Sequence, residues 1–247
     1  MIEIKNLHKS FGDNYVLRGV NLYVKDGETL ALIGRSGCGK SVLLKHIIGL
    51  MKPDKGKILV NGMDVNSRSV NIFEIRKKFG MVFQSSALFD SLTVQENVII
   101  GLREHTNLKE SEMIEIASEK LRLVGMSNNK NLKPSELSGG MKKRVGIARA
   151  LAMDPEYILY DEPTTGLDPI MADRINVLIL DLKKRLKKTT IIVTHDMHSA
   201  YMVSDRIAML YEGKIVFDDV REHLLTTKNK FVREFIDSSS IVGINEK

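Results

Sequence analysis

The chain has 247 residues, of which 43% are hydrophobic and 28% are charged, and its formal net charge is +6. This composition is typical of a folded globular chain and excludes an intrinsically disordered one. No apolar run approaches the roughly 20 residues that a membrane-spanning helix needs, and the first ten residues lack a signal-peptide core. We therefore expect a soluble protein that stays in the cytoplasm.

The first third of the chain predicts short strands and the middle third predicts helices. Strand-like runs occupy Ile2 to Leu7, Val20 to Val24, Thr29 to Ile33 and Lys57 to Val60, and Asn61-Gly62 follows the last of them as a turn signal. Apolar residues then recur at helical spacing. One such stripe is Met113, Ile116, Ala117, Leu121 and Val124, and another is Met141, Val145, Ala148 and Ala152.

The last third alternates between strand and helix. The predicted elements are a strand at Tyr157 to Tyr160, a helix at Met171 to Leu186, a strand at Thr190 to Thr194, a hairpin turn at Tyr211 to Lys214, a helix at Leu224 to Ile236 and a frayed end. Such alternation predicts an α/β fold with a mostly parallel, covered sheet. The basic run from Lys183 to Lys188 ends a helix with an apolar stripe, so it indicates a solvated face, with a surface near anionic lipid as the alternative.

A glycine-rich loop lies between a predicted strand and a predicted helix. It consists of Gly34, Arg35, Ser36, Gly37, Cys38, Gly39, Lys40 and Ser41, which fits the pattern G-x-x-x-x-G-K-[ST]. Its glycines allow backbone N–H groups to surround phosphate oxygens, and the helix adds its positive end. We expect Lys40 to reach the β- and γ-phosphates of a nucleotide and Ser41 to bind Mg²⁺. The single cysteine, Cys38, packs as a small side chain in this loop.

Two carboxylates follow the apolar strand that begins at Tyr157. Ligands of open α/β sheets bind at the carboxyl ends of the strands. Asp161 is therefore a candidate ligand of Mg²⁺, and Glu162 is a candidate for orienting or deprotonating an attacking water. On their own, the two residues would equally suit a pair of solvated loop acids, but the phosphate loop in the same chain favours the catalytic interpretation.

A second anion-binding helix start is predicted at Ser138, Gly139 and Gly140, within the sequence LSGGM. One nucleotide does not need two such sites in one protomer, so the second could complete the pocket of a partner chain. The motifs together resemble those of the ABC transporter ATPase family, over nearly the whole chain. The resemblance implies a single ABC ATPase domain over 1–247, with an N-terminal antiparallel β-subdomain, an inserted helical subdomain at roughly 85–153 and a C-terminal helix and tail at roughly 224–247.

The resemblance also implies roles for individual residues, with ATP and Mg²⁺ as cofactors and a homodimer that sandwiches ATP. Phe11 would stack on adenine, although it could instead be a core residue. Gln84 would contact Mg²⁺ and sense the membrane partner, unless it is a surface glutamine. Asp168 would lie in a loop that crosses the dimer interface, and His195 would lie near the γ-phosphate. The family signature normally reads LSGGQ, so Met141 removes any contact that this glutamine makes.

A narrower resemblance is to the ATPases of Mce/Mla-type phospholipid transport systems. It is carried by FGMVFQSSALFDSLTVQENV, PSELSGGMKKR and DEPTTGLDPI. It implies a membrane permease dimer and an Mce-type lipid-binding protein as partners, no nucleic acid, and a peripheral position on the cytoplasmic face of the inner membrane. The alternatives are the ATPase of an amino-acid or ion importer, and a soluble ABC ATPase of cluster assembly or translation.

Overall fold

The computed structural model describes residues 1–238, and the tail expected at 239–247 lies outside the described residues. The strands are β1 (Ile2–Phe11), β2 (Asn14–Val24), β3 (Thr29–Ile33), β4 (Lys55–Val60), β5 (Met63–Asp64), β6 (Phe79–Val82), β7 (Tyr157–Asp161), β8 (Thr189–Thr194), β9 (Arg206–Tyr211) and β10 (Lys214–Val220). The helices are α1 (Lys40–Ile47), α2 (Ile72–Lys77), α3 (Val94–His105), α4 (Glu110–Leu123), α5 (Gly139–Leu151), α6 (Pro169–Leu186), α7 (Met197–Val203) and α8 (Lys230–Ser238). Single 3₁₀ turns occur at Ser127–Asn129, Pro134–Glu136 and Arg221–Leu224.

The described chain divides into two compact units. Unit 1 combines Met1–Arg76 with the segment that begins at Thr189, and unit 2 is Lys77–Lys188. The predicted helical subdomain falls inside unit 2. No helix among residues 1–238 is both long enough and apolar enough to span a bilayer.

Unit 1 contains an antiparallel sheet of order β2-β1-β4-β5. Its inward side chains alternate with exposed ones along the strands, and Ile2, Ile4, Val24 and Val60 are buried. Both strands of the first hairpin are longer than predicted, because β1 continues to Phe11 and β2 begins at Asn14. Five of the ten added residues are polar, and together with Gly19 they separate the apolar residues of these extensions from the predicted strands. The turn at Asn61-Gly62 is confirmed, and both of its residues have positive φ.

Unit 1 also holds four strands in the order β10-β9-β3-β8. The central strand, β3, is parallel to both neighbours and all five of its residues are buried, as expected for a covered sheet. The hairpin between β9 and β10 turns at Glu212 and Gly213, which confirms the predicted hairpin. Residues from α7 and α8 cover this sheet, with Met197, Ala200, Val232 and Phe235 packed against Ala31, Ile33, Ile207 and Met209.

In unit 2, β6 and β7 pair in parallel, and the helices α3, α4 and α5 lie between these two strands along the chain. The helical stripes predicted from the sequence are confirmed: Met113, Ala117 and Leu121 are buried on α4, and Val145 and Ala148 on α5. Helix α3 begins with a capping box, in which Thr93 and Glu96 bond to each other's backbone N–H groups. On α6, Ile175, Leu178 and Leu182 are buried whereas Lys184 and Arg185 are exposed, in agreement with the solvated-face interpretation.

The predicted helix at Leu224 to Ile236 is wrong over its first six residues. A 3₁₀ turn ends at Leu224, and α8 begins only at Lys230. The side chain of Asn229 accepts hydrogen bonds from the backbone N–H groups of Phe231 (3.0 Å) and Val232 (3.4 Å), and so caps the helix. Asparagine and threonine favour caps and turns over helix interiors because their side chains bond to nearby backbone. The apolar residues at Leu224 and Leu225 concealed this start signal.

The buried side chain of His46, on α1, should make the stability of unit 1 depend on pH. Its Nδ1 donates to the Val42 carbonyl oxygen at 2.7 Å, and its Nε2 has no hydrogen-bond partner among the described residues. Burial lowers the pKa of His46 below its usual 6.5, with a smaller contribution in the same direction from Lys9, although the Val42 hydrogen bond acts against the shift. The folded protein therefore resists protonation at this position.

We expect the unfolding temperature to fall as the pH decreases from 6.5 toward the lowered pKa of His46. In that window the unfolded chain binds a proton at this histidine and the folded chain does not, whereas above pH 6.5 both are neutral. The measurement is thermal unfolding between pH 8 and 5 for the wild type and His46→Leu. The difference between the two curves isolates this group, and equal slopes below pH 6.5 would contradict the prediction.

Candidate functional site

The glycine-rich loop of unit 1 connects β3 to α1, as the sequence predicts. Lys40 is the first residue of the helix and is 5% exposed. Its ammonium donates hydrogen bonds to the carbonyl oxygens of Gly34 (2.8 Å) and Arg35 (3.1 Å), and therefore lies inside the curve of the loop. The last loop residue, Gly39, has φ of 105°, a conformation that favours glycine. Such a loop offers backbone N–H groups and one cation to a phosphate chain.

Two glycines of this loop differ in how much space surrounds them. A methyl group at Gly34 would lie 2.4 Å from the Leu210 carbonyl oxygen and 2.8 Å from Cys38 Sγ, whereas at Gly37 it would meet nothing within 4 Å. Gly34→Ala should therefore distort the loop and weaken ATP binding about tenfold to a hundredfold, a cost typical of overpacking. Gly37→Ala adds only the strain of an L-residue at positive φ, about fivefold.

The dissociation constant of ATP, measured by calorimetry for both variants, tests this difference. Gly37→Ala is the matched control because it makes the same chemical change in the same loop. Equal losses of affinity in the two variants would show that space around Gly34 does not determine the conformation of the loop.

Phe11 lies at the end of β1 with 47% of its surface exposed. This exposure rules out the alternative that Phe11 is a core residue. The ammonium of Lys9 lies 5.5 Å from the centre of the ring, a distance at which a cation is attracted to an aromatic face. The ring is thus available for stacking on a flat partner.

His195 directly follows β8, whose six residues are all buried, and its own side chain is exposed. The next residue, Asp196, caps α7 by accepting from the backbone N–H of His198 at 2.9 Å. The end of the strand and the start of the helix therefore fix the backbone on both sides of His195. Phe11, the glycine-rich loop and His195 belong to unit 1, and the remaining predicted site residues belong to unit 2.

The paired carboxylates stand at the carboxyl end of β7. Asp161 is the last residue of the strand and is 9% exposed, and Glu162 is 8% exposed. Glu162 adopts a left-handed backbone conformation, with φ of 51°, which a glutamate rarely takes. Its carboxylate accepts a hydrogen bond from Thr165 Oγ1 at 2.9 Å. Both groups are too enclosed to be a pair of solvated loop acids, so that alternative is wrong.

The signature segment begins α5, and its serine acts as the helix cap. Ser138 accepts a hydrogen bond from the backbone N–H of Met141 at 3.3 Å. Ser138 and Gly139 are exposed, whereas Gly140 is buried. Met171 covers Gly140, and a methyl group added at Gly140 would lie 2.3 Å from Met171 Cε. Asp168 caps α6 in the same way, accepting from Met171 N at 3.0 Å. The helix start thus keeps exposed N–H groups despite the methionine at position 141.

Gln84 follows β6, and its side chain is exposed. The buried ammonium of Lys143 donates a hydrogen bond to the backbone carbonyl oxygen of Gln84 at 2.5 Å. It donates another to the backbone carbonyl oxygen of Glu162 at 3.4 Å. Unit 2 therefore brings Gln84 and Glu162 together through a lysine that the sequence analysis did not select. One signal could have identified Lys143, because it falls on the same face of α5 as the buried residues Gly140 and Ile147.

The described geometry defines a P-loop nucleotide-binding protein, with a glycine-rich phosphate loop after a buried parallel strand and a buried acidic pair after another. The profile of the family described as ABC transporter matches residues 17–165. The chain belongs to the ABC transporter family. It is the ATP-binding subunit of a transporter, binds ATP and hydrolyses it.

Relatives of known name cover nearly the whole chain. The probable ribonucleotide transport ATP-binding protein mkl of Mycobacterium leprae is 44% identical over 100% of this chain and 72% of its own length. The intermembrane phospholipid transport system ATP-binding protein MlaF of Haemophilus influenzae is 40% identical over 97% of this chain and 91% of its own. The L-cystine import ATP-binding protein TcyN of Bacillus subtilis is 42% identical over 96% and 92%.

A solved structure supports the same assignment. The ATP-binding cassette MJ0796, as a dimer in a post-hydrolysis state with ADP and Pi, has a TM-score of 0.80 and 35% identity, and the match covers 90% of this chain and 99% of that one. This likeness, at that identity and coverage, confirms the predicted ABC ATPase fold.

Proposed function

We propose that this subunit drives phospholipid movement between membranes, together with a membrane permease dimer and an Mce-type lipid-binding protein. The observation that carries the proposal is the match to MlaF, which extends over 97% of this chain and 91% of that protein. The motif resemblance around Ser138 to Met141 supports the same class of system. In this proposal the subunit lies peripherally on the cytoplasmic face of the inner membrane, and the lipid never contacts it.

The proposed chemistry divides among residues whose surroundings suit each role. The loop from Gly34 to Ser41 binds the phosphates, and Lys40 places its positive charge against them. Phe11, with its exposed ring, stacks on adenine. Glu162 is the general base that activates water, and His195 lies beside the γ-phosphate.

Mg²⁺ fits the oxygen donors that the chain offers for it. Ser41, Gln84 and Asp161 would bind the ion through hydroxyl, amide and carboxylate oxygens, the ligand types that a hard cation prefers. Bound Mg²⁺ neutralises charge on the phosphates. A buried carboxylate such as Asp161 is stabilised by a cation of this kind, because burial alone disfavours its charged form.

A homodimer completes the proposed site. The exposed start of α5, at Ser138 and Gly139, supplies a second set of N–H groups for the nucleotide held by the partner copy. The dimeric cassette MJ0796, 35% identical to this chain, supports this arrangement. Asp168, exposed at the start of α6, would lie close to the partner in the same dimer.

A second candidate function is the import of an amino acid. It is favoured by the match to the L-cystine import protein TcyN, which is as complete as that to MlaF. Both candidates require the same nucleotide chemistry, and they differ in the permease that the subunit joins. The Mce-type partner therefore distinguishes them.

The test is to purify the tagged full-length chain from native membranes in mild detergent and to identify co-purifying proteins and lipids by mass spectrometry. Recovery of a permease with an Mce-domain protein and phospholipid supports the proposal. Recovery of an importer permease with a solute-binding protein overturns the lipid assignment and favours the second candidate. Recovery of soluble partners alone, such as ribosomes or cluster-assembly proteins, would contradict both.

A further inference from the structure

Lys143 is a buried cation that bonds to backbone rather than to a carboxylate. It is 5% exposed on α5, and within the described part of the chain its ammonium forms no salt bridge. Its hydrogen bonds go to the carbonyl oxygens of Gln84 (2.5 Å) and Glu162 (3.4 Å). Burial lowers the pKa of Lys143, although the nearby charges of Glu162 and Asp161 act against the shift. Such a group persists only where its bonds offset the cost of desolvation.

The two carbonyl groups belong to the loops that follow two neighbouring parallel strands. Gln84 lies after β6 and Glu162 after β7, and these strands pair with each other. Glu162 has a positive φ, as do Ser86 and Ala87 in the first loop. Backbone in this region is unfavourable for L-residues and persists only when its surroundings hold it. Both loops therefore depend on external contacts for their conformation.

Helix α5 supplies those contacts through two cations. Arg149 donates to the carbonyl oxygens of Ser86 (2.7 Å) and Ala87 (2.6 Å), so it holds the first loop alone. Lys143 touches both loops, and it lies between Arg149 and the cap residue Ser138 on the same helix. Lys143 therefore gives α5 a hydrogen-bonded contact with the backbone of both Gln84 and Glu162.

We propose that Lys143 is a positioning residue that connects the signature helix α5 to Gln84 and Glu162. The position of the Glu162 carboxylate then depends on the position of α5, and so on whatever Ser138 at its start binds. This inference rests on the proposed roles of Glu162 and Gln84 in hydrolysis. It adds a route by which engagement of the signature segment changes the rate of the chemical step.

The test compares ATP hydrolysis by the full-length chain carrying Lys143→Met with that by Lys142→Met. Lys142 is the matched control, because it neighbours Lys143 on α5 and its side chain forms no hydrogen bond within residues 1–238. We expect Lys143→Met to lower kcat about tenfold to a hundredfold, the loss that follows a displacement of about 1 Å at a catalytic group. KM for ATP should change less than threefold, and Lys142→Met should match the wild type.

A second variant keeps the inference testable if Lys143→Met does not fold. Lys143→Gln retains N–H donors on a shorter side chain, so it should recover part of the lost kcat with KM unchanged. If the role of Lys143 were purely structural, its replacement would lower the unfolding temperature. It would not lower kcat at 25 °C while leaving KM unchanged. A wild-type kcat in Lys143→Met overturns the inference, and so does a folded Lys143→Gln whose kcat is no higher than that of a folded Lys143→Met.

Glu162→Gln in the same assay separates this inference from the proposed function. If Glu162→Gln is inactive and Lys143→Met is fully active, the role of Lys143 is wrong and the catalytic assignment stands. If Glu162→Gln turns over at the wild-type rate, the assignment of Glu162 fails and the Lys143 inference fails with it. Loss of kcat in both variants, with ATP affinity kept, supports the inference.

Discussion

Glu162→Gln should stop ATP hydrolysis while ATP binding is retained. A glutamine has nearly the same shape as glutamate and its oxygen still accepts the hydrogen bond from Thr165 Oγ1, so the loop after β7 keeps its conformation. The amide cannot take a proton from water, and loss of a general base lowers kcat by about a hundredfold to ten-thousandfold. Phosphate release and the dissociation constant of ATP, measured on the same preparation, check the two halves of this prediction.

Glu156→Gln is the control for Glu162→Gln. Glu156 lies just before β7 begins, at the opposite end of the strand from Glu162, and pairs with Lys78 at 2.6 Å on the surface. Its replacement removes the same charge from a residue that flanks the same strand and should leave kcat unchanged, because exposed ion pairs contribute about 0–1 kcal/mol. Glu162→Gln that retains more than a tenth of the wild-type kcat would remove Glu162 from the role of base.

The same variant also tests the proposed dimer. If two copies enclose two ATP molecules, blocking hydrolysis should trap them together, because only the ATP-bound state favours closure. Size-exclusion chromatography of Glu162→Gln with ATP should then show a dimer that is absent with ADP. A monomer under both conditions would argue against the homodimer as the site of hydrolysis.

The phosphate loop was predictable because three local signals agree there. The strand from Thr29 to Ile33 is uniformly apolar, the glycines follow it at once, and a helix of apolar residues opens at Lys40. Each signal depends on residues close in sequence, so no tertiary contact was needed to interpret it. The parallel alternation of strand and helix in the last third of the chain was predictable for the same reason.

The conformations of the loops that follow β6 and β7 were not predictable. Glu162, Ser86 and Ala87 all have positive φ, and none is a glycine or an asparagine that would signal it. Carbonyl groups of these loops accept hydrogen bonds from Lys143 and Arg149, which lie far from them in sequence. Tertiary contacts therefore overrode the local backbone preference of these residues.

Arg206 connects the two sheets of unit 1, and its loss should strongly destabilise that unit. Arg206 is the first residue of β9. Its guanidinium donates hydrogen bonds through Nη1 to both carboxylate oxygens of Glu28 (2.9 Å each) and through Nε to the Asp218 carboxylate (2.5 Å). Its Nη2 donates to the backbone carbonyl oxygen of Tyr23 (2.7 Å). Arg206 and Glu28 are 16% and 12% exposed. Burial acts against the charge of Arg206, but hydrogen bonds to Asp218 and Glu28 outweigh it and raise its pKa.

Arg206→Met should lower the free energy of unfolding by about 3 kcal/mol, the lower end for breaking a buried ion pair, because Asp218 remains one-third exposed. For a chain of this length that corresponds to a fall in Tm of about 6–12 °C. Most of the loss comes from leaving Glu28 buried without its partner. Adding Glu28→Gln to Arg206→Met should therefore restore part of the stability, although each change alone destabilises.

Thermal unfolding followed by circular dichroism measures these variants, with Arg185→Met as the surface control. Arg185 pairs with Asp181 at 3.0 Å, but their side chains are 59% and 42% exposed. Solvent screens such a pair, so its loss should cost less than about 0.5 kcal/mol. If Arg206→Met lowers Tm no more than Arg185→Met, the buried network does not hold the sheets of unit 1 together. If the double variant is less stable than Arg206→Met, the stranded charge of Glu28 is not the source of the loss.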